Sequence, residues 1–213
     1  MKSLTLRSFS PWVMVCLLFV AAPATLSQQT DPTTKQLAEQ YVDKNDPRFR
    51  ETQDLMNRFR FLTGLAPAAY SAGRNDQAKQ YAEELLLTVK AAERENRHVP
   101  NIIGVAIHVS NSVLGLISID DGKTVEAANY LLASGRVFGN PPDPIHFGPD
   151  MLLAKRLLEK GDRATVIQYF DLCANFWKHA AYLEPWKKAV QQGEIPNFGI
   201  FAHTLDEYWR FDK

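Results

Sequence analysis

The sequence predicts an all-α fold of stacked antiparallel helical hairpins with a C-terminal cap. Three observations predict it. Apolar residues recur at three- and four-residue steps along most of the chain, the period of a helix with one buried face. Three stretches superpose on their glycines, Gly73, Gly122 and Gly161. The same residue types also stand at the same offsets from each glycine. Leucine lies eight before (Leu65, Leu114, Leu153) and a small residue seven before (Ala66, Gly115, Ala154). A small or medium apolar residue lies five after (Ala78, Ala127, Val166), and tyrosine eight after (Tyr81, Tyr130, Tyr169). Self-similarity of this kind marks a repeat architecture, in which one unit cannot bury its apolar face alone.

The elements follow in order. Residues 1–27 read as a secretory signal: Lys2 and Arg7 precede an apolar run over 12–22, and small residues near 22–27 offer a cleavage site. That run is shorter than the roughly 20 residues of a membrane span. Residues 28–34 are polar and contain Asp31-Pro32, a flexible lead. Residues 35–213 form one helical domain, with repeats at about 58–90, 101–139 and 147–180 and a cap over 181–213. Residues 76–92 carry an apolar stripe with Asn75 or Asp76 as cap. Residues 101–119 read as helix over a strand alternative at 102–109, because the three- and four-residue spacing continues to Ile119. Residues 123–136 return, stopped by Gly139 and a Pro141-Pro142-Asp143-Pro144 loop. Pro149 opens a helix to Leu158, Asp162 caps the next over 163–180, and short helices are expected at 184–192 and 205–211.

Composition narrows the function. The chain holds 24 basic and 24 acidic side chains; cleavage removes Lys2 and Arg7 and no acid, leaving 22 against 24. A surface so balanced lacks the electrostatic footprint of a nucleic-acid binder. No membrane insertion is expected after cleavage, and no later run reads as long and uncharged enough to span a bilayer. Cys16 leaves with the signal, so Cys173 has no intramolecular partner and reads as a small packed residue.

The spacing has a physical cause. Glycine enters the left-handed conformation that a tight helix–helix turn needs. The small residue before the turn lets the second helix approach closely. On these residues the chain resembles the tetratricopeptide repeat family. Leu114-Gly115, Gly122 and Ala127 fit its pattern best; Leu153-Ala154, Gly161-Asp162 and Val166 fit next; Leu65-Ala66, Gly73 and Ala78 fit less well, because Pro67 falls where it can kink the first helix. The family's early tryptophan is replaced by Leu62, Asn111 and Asp150, its late proline is absent, and the spacings are 49 and 39 residues rather than about 34. The resemblance implies a concave groove lined by the first helix of each hairpin, here 58–66, 104–115 and 150–157. Asn101, Asn111, Asp150 and Arg156 are the candidate partner-binding residues on it. Trp177, Trp186 and Trp209, with Phe198, Phe201 and Phe211, are expected to anchor the cap.

Catalytic signals are weak. None of the five histidines has compact metal spacing. Asp143, His146 and Asp150 come nearest to a ligand cluster and read better as a turn, a loop side chain and a helix's first turn. Asp120-Asp121-Gly122 lacks the later ligands of a calcium loop and reads as a helix-ending turn. His108 beside Ser112 reads as a buried, hydrogen-bonded histidine rather than a nucleophile pair. Arg58 and Arg60 near Phe59 and Phe61 read as alternating charge on a half-exposed helix, or else as an anion or peptide contact. The expectation is a non-catalytic interaction module or scaffold in a bacterial envelope, periplasmic or extracellular. It is expected to bind another protein or peptide, without cofactor or metal. The alternative is a small-ligand or cell-wall glycan binder using the aromatic cap; an enzyme is a weaker reading.

Overall fold

The computed structural model describes residues 32–95, 102–136, 148–177 and 180–210. Nine α-helices and two short 3-10 turns lie among them, with no strand. Helix α1 (Pro32–Glu51) begins inside the stretch whose composition reads as a lead; its proline suits a first turn, where no backbone donor is needed. Helix α2 (Leu55–Ser71) is capped by Asp54, whose carboxylate accepts the Asn57 N–H at 2.8 Å. It runs unbroken through Pro67, where the sequence allowed a kink. Then come α3 (Asn75–Arg94), α4 (Ile103–Asp120), α5 (Thr124–Gly135), α6 (Leu152–Glu159), α7 (Arg163–Cys173), α8 (Leu183–Gln191) and α9 (Thr204–Arg210). Two helices are shorter than read: α6 starts beyond Pro149, and α7 stops at Cys173. The signal, Asn101, the proline-rich loop and Phe211 lie outside the described residues.

The turns explain the repeat. Gly73, Gly122 and Gly161 have φ of 77°, 76° and 89°. Each turn carries the same two hydrogen bonds. The glycine N–H donates to the carbonyl three residues back (Tyr70, Ile119, Leu158; 2.9–3.1 Å). The following N–H donates to the carbonyl five back (Ala69, Ser118, Leu157; 2.8–3.0 Å). These bonds satisfy carbonyls that a helix end leaves orphaned. Gly193 after α8 repeats the arrangement, with φ 89° and Glu194 N–H on Ala189 O at 2.9 Å. An added methyl at Gly122 would meet nothing within 4 Å. Gly122→Ala should therefore cost only the left-handed backbone penalty, about 1–2 kcal/mol in urea unfolding. A loss near zero would mean that the turn does not demand a positive φ.

Packing follows chain order. Helix α1 lies on α2, and α2 on α3 and α4. Helix α3 lies on α4, α4 on α5 and α6, α5 on α6 and α7, α6 on α7, and α7 on α8. Helix α4 has neighbours on so many sides that residues 108–119 are all buried. Contrary to the sequence reading, its 18 residues are apolar and long enough to cross a membrane, with 78% of them buried inside the protein. An all-round apolar helix is also what a central core position requires. The repeat leucines and the Ala or Val after each turn are buried, as are Tyr81 and Tyr169. Cys173 is buried as well, which pushes its thiol pKa far up.

The C-terminal segment divides in two. Trp177 and Trp186 stack with centroids 5.9 Å apart, and Phe198 and Phe201 meet the Trp186 ring edge-on at 5.0 and 5.7 Å. Trp209 does not join them. It rides on α9, which crosses to α2, and its ring lies 6.2 Å from Tyr41 of α1. Arg210 donates to Thr34 Oγ1 at 2.7 Å, and Ser71 Oγ at the end of α2 donates to Asp206 at 3.1 Å. The segment expected only to close the stack therefore also ties the last described helix to α1 and α2.

Candidate functional site

The first helices of the three hairpins, α2, α4 and α6, meet near their C-terminal ends in one polar cluster. Asp120, the last residue of α4, accepts from Tyr70 Oη of α2 at 2.9 Å and from Arg156 Nη2 of α6 at 2.7 Å. Turn geometry explains the meeting: Tyr70, Asp120 and Arg156 stand three, two and five residues before the turn glycines. Burial, then the Asp120 charge, raises the Tyr70 hydroxyl pKa. Burial is the largest influence on Arg156 and works against its charge, but the Asp120 hydrogen bond, the Asp120 charge and Tyr70 together outweigh it and raise the guanidinium pKa above its ordinary value. The Arg156 side chain remains 24% exposed. The cluster offers a charged, hydrogen-bonding patch made from three separate repeats.

The other sequence candidates fare differently. Asn101 lies outside the described residues. Asn111 is buried, and its Nδ2 donates to Ile107 O at 2.7 Å within its own helix. Asp150, expected on an open groove, is 1% exposed. Its Oδ1 accepts the Leu152 N–H at 2.8 Å, opening α6. Its Oδ2 accepts Thr204 Oγ1 at 3.1 Å and the Leu205 N–H at 3.2 Å, opening α9. Its own N–H donates to His108 Nε2 at 3.0 Å, and its carbonyl accepts the Tyr169 hydroxyl at 3.1 Å. Burial raises the Asp150 carboxyl to about 6, against the pull of those donors. Among the described candidates, only Arg156 stands where a partner can reach it. Tyr70 and Asp120 were missed as site residues, and their one sequence signal is position in the last turn before each glycine.

No family model, curated protein or solved structure matches this chain.

The site must therefore be judged on its chemistry. His108 is buried; its Nδ1 faces Ser134 O at 3.1 Å. A carbonyl only accepts, so Nδ1 carries the proton and Nε2 accepts from Asp150. Both ring nitrogens are thus engaged, and neither is left to take a proton from Ser112. Burial lowers the His108 pKa to about 4, which keeps the ring neutral. Asp143 and His146 lie outside the described residues; among those described, no three His, Cys, Asp or Glu side chains gather to hold a metal ion. Arg58 is tied to Glu84 of α3 and lies 4.9 Å over the Phe49 ring. Trp177, Trp186 and Trp209 are buried, so the flat faces that a glycan platform needs are covered by protein.

Proposed function

We propose that this chain is an exported, non-catalytic interaction module: a tetratricopeptide-like stack of three hairpins that binds a protein or peptide in the periplasm or outside the cell. The observation that carries the reading is the hydrogen-bonded glycine turn, repeated three times, which sets the first helices side by side. Helices α2 and α4 touch, as do α4 and α6, and so Tyr70, Asp120 and Arg156 converge across three repeats. Repeat stacks commonly use such a surface because each hairpin adds a few contacts to one extended ligand. The export assignment rests on the charge and apolar pattern of residues 1–27.

The test is crosslinking of the mature protein in its native envelope fraction, followed by binding of the purified captured partner. Arg156→Glu places like charge beside Asp120 and should weaken that binding at least about tenfold, or roughly 1.4 kcal/mol. Lys79→Glu, on an exposed position of α3, should leave it unchanged. Equal affinity for the Arg156→Glu variant and the unmodified protein would refute this face as the binding surface.

A further inference from the structure

We propose that the face of α2 between α1 and the start of α6 is a docking site for a short amphipathic helix, filled here by the chain's own α9. A protein partner of the site would present the same pattern: an apolar residue, an acid next to it, and aromatic residues three and four positions on. The inference rests on the interaction-module reading and names the ligand class of that module.

Helix α9 behaves as a ligand in several respects. It spans seven residues, too few to hold a helix without a surface to lie on. It follows a stretch in which Gly193 and Gly199 both adopt positive φ. Leu205, Tyr208 and Trp209, at helical spacing, supply its apolar face, and Leu205 and Trp209 are buried. Asp206, beside Leu205, accepts from Ser71 of α2.

The receiving face is shaped for a backbone at close range. Gly64 sits in the interior of α2, where glycine normally weakens a helix. A methyl there would overlap the Tyr41 hydroxyl and lie 3.2 Å from the Tyr208 carbonyl oxygen. Glycine is what lets the α9 main chain lie against α2. At the other end, the Asp150 carboxylate takes the first N–H and hydroxyl groups of α9, which would otherwise lack acceptors. One feature of the fit is poor. The buried Trp209 Nε1–H finds no hydrogen-bond partner among the described residues. That donor regains water when α9 lifts, so release recovers part of what docking loses.

The experiment keeps the full mature chain. Leu205→Ala combined with Trp209→Ala weakens the tethered α9 and leaves the receiving face intact. A fluorescein-labelled peptide of residues 203–213 should bind this variant at least tenfold more tightly than the unmodified chain. Adding Gly64→Leu to the variant should abolish that binding. Native-state hydrogen exchange of the unmodified chain gives a readout independent of the variants' folding. The amides of residues 206–210 should exchange at least a hundredfold faster than those of 110–116. Equal peptide binding by the two chains, or exchange of 206–210 only at the rate of 110–116, would overturn the proposal. Neither readout uses the envelope partner. A failure of the Arg156 test therefore bears on the module reading alone, and a failure here bears on the docking site alone.

Discussion

Asp150→Asn should expose an acid sensitivity that the native chain hides. His108 and Asp150 are both fully buried and are linked through the Asp150 N–H. The His108 pKa falls from 6.5 to about 4 on folding, because burial disfavours the charged ring. Its stabilising contribution is complete above pH 6.5 and is lost as pH falls toward 4, where the unfolded chain takes a proton that the folded chain refuses. The Asp150 pKa rises from 3.8 to about 6. Its contribution has the opposite sign: complete below pH 3.8 and lost as pH rises through 6. Each shift is equivalent to about 3 kcal/mol. Over the same window the two nearly cancel, so this pair should leave native stability close to flat from pH 6.5 to 4. Asparagine removes the carboxyl term and leaves the histidine term. Urea unfolding across that range should show the variant losing about 3 kcal/mol more than the native chain. Parallel pH profiles would mean that burial does not raise the Asp150 carboxyl, and a flat profile for the variant would mean that His108 is solvated or differently paired.

Gly115→Val should be among the most damaging single substitutions in the repeat. Gly115 lies where the second hairpin meets the third. A Cβ there would collide with a Leu153 methyl and stand 3.1 Å from Tyr130 Cβ. All three residues belong to the repeat pattern: the small position before the turn, the tyrosine after it, and the leucine of the next hairpin. Overpacking and a β-branched residue in a buried helix should together cost about 3 kcal/mol. Leu153→Ala alone should cost about 2–5 kcal/mol through its cavity. The double variant should be less unstable than the two losses added, because the alanine frees room for the valine. Additive losses in urea unfolding would place Gly115 and Leu153 out of contact. The turn glycines differ in kind: their methyls meet open space, and only the backbone conformation is at stake.

The contrast between Gly115 and Asp150 shows what was legible in the chain. Gly115 was found by offset from Gly122, since its role is set within a hairpin and the hairpin recurs. Asp150 stands near the same repeat offsets, yet its neighbours are His108, Tyr169 and Thr204, 42, 19 and 54 residues away. Nothing in local spacing records such partners. Offset reasoning placed it on an open face, whereas it lies buried among partners from α4, α7 and α9. The same limit applied to Asn111: its helix was read correctly, but burial of α4 on most sides directs its amide to its own backbone. Arg156 was read as a candidate, and the structure adds Tyr70 and Asp120 beside it.

By itself the sequence determined the helical content, the three glycine turns and the order of the hairpins. Periodicity, left-handed glycine and the repeat offsets are local properties, encoded within a few turns of chain. The tertiary structure decided which polar groups are reachable, where Trp209 goes, and that the last helix returns to α2. Those outcomes depend on whether surfaces far apart in sequence are complementary in shape. Gly64 illustrates this: in the sequence it is a weak spot in a helix, and only the main chain of α9 against it gives the missing side chain a purpose.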